Sequence, residues 1–106
     1  MTDDDRHVET VERMVESRRE DIVQLLTDLV RFPSETHPPG GDEGPAQEYM
    51  ASKLVELGLD VDVFEPWSVA GIQEHPGWWP GLEYDNRPNV VGTYRSRGNG
   101  RSLILN

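Results

Sequence analysis

The stretch PAQEYMASKLVELGLDVDVFE, Pro45–Glu65, decides the fold class. Its first half carries Ala46, Tyr49, Met50, Leu54 and Leu57 at helical spacing, which makes one apolar stripe over Pro45–Leu57. Proline in the first turn lacks an N–H that would be orphaned there anyway. Gly58 stands where a left-handed C-terminal cap is wanted. From Leu59 the period changes: Leu59, Val61 and Val63 alternate with Asp60, Asp62 and Glu65, the period-two pattern of a half-buried strand, and Pro66 ends it. Helix, glycine, strand in this order predicts an α/β fold.

Working towards the N-terminus, Ser34–Gly44 is a loop built on Pro38-Pro39-Gly40-Gly41 with Asp42 and Glu43 beside it. It lacks the glycine spacing and following lysine of a phosphate loop and reads as a rigid connector that sets the helix entry angle. Before it, Val8, Val11, Val15, Ile22, Leu25, Leu26 and Leu29 predict a long amphipathic helix over Asp5–Arg31. The acidic Asp3–Asp5 run complements its N-terminal dipole. Phe32-Pro33 ends it, since a residue before proline disfavours the helical region. The stripe is interrupted at Arg18, which weighs against a coiled-coil arm.

Towards the C-terminus, an irregular segment reaches Pro88 and holds Trp67, Trp78, Trp79 and Tyr84. Burial of the Trp78–Trp79 pair against a neighbouring element is favoured over a ligand platform. Asn89–Arg95 and Ser102–Asn106 are expected to form a hairpin around a Gly/Asn turn. Leu103-Ile104-Leu105 is apolar throughout, as in a strand buried on both faces, so the chain reads as truncated inside a sheet. The expected architecture is two helices on a small mixed sheet.

Composition sets limits. Twenty acidic against ten basic residues give a net charge of −10, which repels nucleic-acid phosphates and anionic lipid. Lys53 is the only lysine, a balance that suits a high-salt cytoplasm. There is no cysteine, hence no disulfide and no thiolate zinc site. Neither a signal peptide nor an apolar run of membrane-spanning length is present, so the cytoplasm is the expected location.

Candidate chemistry is thin. His7, His37 and His75 are the only histidines, and none sits in a close His/carboxylate pattern, so all three read as loop or helix-end residues rather than metal ligands. Ser34 has Glu35 and His37 nearby but no nucleophile-elbow surroundings. The residues therefore assign no catalytic, cofactor-binding or metal site.

The order of segments is nonetheless familiar. LLTDLVRFPSETHPPGGDEGPAQEYMASKLVELGLDVDVFE, Leu25–Glu65, and HPGWWPGLEYDNRPNVVGTYRSRGNGRSLILN, His75–Asn106, together resemble the opening of the M20 peptidase family. That family includes acetylornithine deacetylase and succinyl-diaminopimelate desuccinylase. The resemblance implies an acidic helical extension over residues 1–24 and a partial catalytic domain over residues 25–106. It implies a two-zinc (or cobalt) amide hydrolase acting on N-acyl amino acids or small peptides, and a possible homodimer in the full-length form. All of its metal ligands and its general base would follow Asn106, so the chain alone is expected to be inactive and metal-free. A non-catalytic acidic module that pairs through an open sheet edge is the alternative.

Overall fold

The computed structural model describes all residues, Met1–Asn106. It contains three α-helices and two small antiparallel sheets, an α/β fold. The chain divides into two units, Met1–Pro33 and Ser34–Asn106.

The first unit is helical. Where the apolar spacing predicts one helix, the chain forms two, α1 (Asp3–Ser17) and α2 (Arg19–Arg31). The break lies at Arg18, whose backbone (φ −105°, ψ 9°) leaves the helical region. The Ser17 hydroxyl donates to the Met14 carbonyl at 2.8 Å, and the Arg18 N–H reaches back only to Val15. Such serine back-bonding and a tightened last turn compete with helix continuation. At the other end Thr2 and Asp5 form a reciprocal capping box. Phe32 adopts the extended backbone that proline demands and stops α2. Val8, Val11, Val15, Ile22 and Leu26 remain exposed along these helices.

The second unit holds the sheet. After a miniature hairpin of β1 (Thr36–His37) and β2 (Gly40–Gly41) comes α3 (Gly44–Glu56). Gly58 takes the left-handed conformation, φ 81°, and the chain turns into β3 (Asp60–Phe64). This strand pairs antiparallel with β4 (Asn89–Thr93), from Asp60↔Thr93 to Phe64↔Asn89. The register places Val61, Val63, Val90 and Gly92 on one face. That face meets α3: a Cβ at Gly92 would lie 3.1 Å from a Leu54 methyl, so glycine is what lets helix and sheet approach.

Two expectations change here. The sheets are purely antiparallel rather than mixed, and β4 takes β3 as its partner, not residues 102–106. Leu103-Ile104-Leu105 forms no strand and is 81–88% exposed, because nothing in this chain provides an apolar layer on either side of it.

No side chain in the molecule is fully buried. Half-buried contacts, not a closed core, hold the second unit together. No helix is long and apolar enough to cross a membrane.

Candidate functional site

Long-range polar contacts concentrate at one end of the β3–β4 sheet. Because Phe64 pairs with Asn89, the segment 65–88 leaves and re-enters the sheet at that end. The N-terminus of α3 lies there too: the Gln47 side-chain amide donates to the Pro88 carbonyl at 2.9 Å. The β1–β2 hairpin, just ahead of α3, joins through a 2.7 Å bond from the Glu83 N–H to the Pro39 carbonyl. Loops 34–43 and 65–88 therefore meet.

The clamp between them is Glu43 with Arg87. The guanidinium donates through Nε (2.9 Å) and Nη2 (3.0 Å) to the two carboxylate oxygens, while Nη1 donates to the Glu83 carbonyl at 2.8 Å. Thr36 Oγ1 donates to the same carboxylate at 2.8 Å. The side chains of Arg87 and Glu43 are 14% and 26% exposed, against 62% and 60% for the neighbouring His37–Asp42 pair. Forked geometry with little solvent makes the former the stronger contact. Arg87 holds the Glu43 carboxyl below its usual range, with Thr36 helping, and the carboxylate keeps Arg87 charged.

Backbone fit reinforces the clamp. A Cβ at Gly44 would lie 2.7 Å from the Asn86 carbonyl oxygen, and Asn86 itself holds a left-handed φ of 58°. A Cβ at Gly41 would collide with the clamped Glu43 carboxylate. The loop thus needs glycine at Gly41 and Gly44 for close approach.

His37 Nε2 lies 2.8 Å from Asp42 Oδ2. Hydrogen bonding and the charge of Asp42 raise the His37 pKa. His75 uses Nδ1 to accept from the Gly77 N–H at 3.0 Å, a local turn contact. His7 lies on α1, in the other unit. The Glu65 Oε2 atom is buried without a hydrogen-bond partner where β3 runs into this loop end. No three His, Asp or Glu side chains converge closely enough to hold a metal ion, so the residues present do not fit a zinc centre.

The aromatic residues form a corner on the same segment. Trp78 and Tyr84 stack with ring centroids 4.4 Å apart, and Arg87 lies 5.9 Å from the Tyr84 centroid. Sequence reasoning missed the clamp: nothing local signals a pair 44 residues apart.

No protein-family model matches the chain, and no solved structure does. The chain is similar to two curated proteins, both named N-formyl-4-amino-5-aminomethyl-2-methylpyrimidine deformylase. One, from Halalkalibacterium halodurans, is 33% identical over 96 residues, covering 87% of this chain and 18% of the relative. The other, from Bacillus subtilis, is 28% identical over 104 residues, covering 96% and 20%. These names correct the M20 peptidase assignment: the likeness runs to formylpyrimidine deformylases. The chain spans about a fifth of the length of these relatives.

Proposed function

We propose that this chain contributes to an amide hydrolase that removes a formyl or related acyl group from an amine, releasing the acid and the free amine. The observation that carries the reading is the likeness to two deformylases over 87% and 96% of the chain. The role of its residues is structural support for a substrate wall. Glu43, Arg87 and Thr36 fix two loops at one end of the sheet, and positioning of this kind is a large part of catalytic power. The groups that activate water, and zinc where the complete enzyme uses it, belong to polypeptide outside Met1–Asn106. The 106-residue chain by itself then turns over no substrate.

The test is a chimera in which residues 1–106 replace the matched segment of the Bacillus subtilis relative. Formate released from N-formyl-4-amino-5-aminomethyl-2-methylpyrimidine by the chimera, and none by the chain alone, is the expected result. A folded chimera that releases no formate, beside an active parent, overturns the reading.

A second reading, an acidic module that pairs with another polypeptide through its sheet edge, is favoured by one observation. Strands β3 and β4 each keep an unpaired edge, and such edges accept further strands. It predicts a stoichiometric complex with the complete relative in light scattering, without any gain of activity.

A further inference from the structure

The segment that follows β4 carries chemistry that neither the sheet nor the loop clamp uses. Its centre reads Arg97-Gly98-Asn99-Gly100-Arg101. All of these residues are exposed, and none belongs to a helix or a strand. Neither the Asn99 side-chain amide nor the Gly100 N–H has a hydrogen-bond partner. A Cβ built on Gly100 would meet no atom within 4 Å.

An asparagine side chain is short enough to reach the backbone nitrogen that follows it. Glycine in the next position offers no Cβ to hinder that approach. The surrounding charge helps as well. Residues 94–105 hold no acidic side chain, and Arg97 and Arg101 flank the pair. Positive charge nearby favours loss of the amide proton, which is what makes the Gly100 nitrogen a nucleophile.

The other internal asparagines are tied down. Asn89 belongs to β4, paired with Phe64, and the residue after it is the β-branched Val90. Asn86 has its carbonyl against Gly44, and the N–H that follows it, of Arg87, is already bonded to the Tyr84 carbonyl at 3.2 Å.

We propose that Asn99 is a site of spontaneous covalent modification. The Gly100 nitrogen attacks the Asn99 side-chain carbonyl carbon, forming a new C–N bond. The old C–N bond to the side-chain nitrogen breaks, and that nitrogen leaves as ammonia with the Gly100 proton. Water then opens the cyclic imide at either carbonyl, which yields aspartate or isoaspartate. Either product places a carboxylate between Arg97 and Arg101 on a chain of net charge −10. The isoaspartate form also lengthens the backbone by a methylene ahead of Leu103-Ile104-Leu105.

The test is to age the purified 106-residue chain at neutral pH and map a chymotryptic digest by mass spectrometry over time. Asn99 is expected to convert to two separable products, aspartate and isoaspartate, while Asn86 and Asn89 stay intact. The rate is expected to equal that of a synthetic peptide of residues 94–102, since nothing in the fold restrains the pair. Gly100→Val is expected to abolish the conversion, and the open space around Gly100 leaves the fold of that variant unchanged, which circular dichroism checks. Asn99 intact in the chain while the peptide converts overturns the proposal. So does conversion of Asn86 or Asn89 as fast as Asn99, undiminished conversion in Gly100→Val, or a product that contains aspartate alone.

Discussion

The helices of Met1–Pro33 and the loop end of Ser34–Asn106 are stabilised in opposite ways. In the helical unit side chains bond to near neighbours. Arg19 forks onto Glu16, Gln24 reaches Asp28, Thr2 caps Asp5, each three or four residues away. In the second unit the decisive contacts cross long stretches of chain: Arg87 to Glu43, Gln47 to Pro88, Glu83 to Pro39. Local pairs on exposed helices contribute a few tenths of a kcal/mol each, and helix pieces of this length are marginal in water. The lesson is that the helical unit leaves Val8, Val11, Val15, Ile22 and Leu26 of its stripe exposed, while the loop end is fixed by its own residues.

The largest expected effect that sharpens this contrast is at Gly44. Gly44→Ala drives a Cβ towards the Asn86 carbonyl, a backbone atom that cannot swing aside. We expect about 1–3 kcal/mol of destabilisation, the usual range for overpacking, read from the urea midpoint of the second unit. An unchanged midpoint would break the claim that loop and helix are tightly fitted.

Next is the clamp. Arg87→Lys replaces a fork with a point charge and is expected to lower the melting temperature at neutral pH. Glu43 has a folded-state pKa depressed chiefly by its bond to Arg87. A depressed carboxyl contributes stability above its unfolded-state pKa and loses it as pH falls through the folded one. The difference between wild type and Arg87→Lys should therefore shrink in acid, and a difference that grows there would contradict the assignment.

A smaller effect belongs to His37. Its pKa is raised by Asp42, so its contribution is complete below the unfolded-state value and is lost as pH rises through the folded one. Nuclear magnetic resonance titration should place His37 above its value in Asp42→Asn. Equal values would dissolve the pair. The smallest effect is in the helical unit: Thr2→Ala removes the capping box, and helicity should fall by about the first turn of α1 only.

Much of the second unit was legible in the sequence because its signals are local. The period change at Gly58 gives α3 and β3 to within two residues at each end, with Gly58 left-handed as its position requires. The stop at Phe32-Pro33 is equally local. The interruption of the stripe at Arg18 was legible, but not as a helix break, since apolar residues resume at Ile22 in the same spacing. The β1–β2 hairpin was hidden under four proline and glycine residues read as a connector. Leu103–Leu105 shows the reverse error: an apolar run states an appetite for burial, not the presence of a layer that satisfies it. The site was the least readable part. Glu43 and Arg87 look like ordinary surface charges until the antiparallel register of β3 and β4 brings their loops together.

Native-state hydrogen exchange on the 106-residue chain tests the contrast most directly, because protection reports local opening free energy. The amide protons of Asp42, Gln47 and Glu83 and of the β3–β4 ladder should exchange together and slowly, whereas those of α1 and α2 should exchange fast. Helices as well protected as the ladder, or a loop end that exchanges as fast as the helices, would contradict the account.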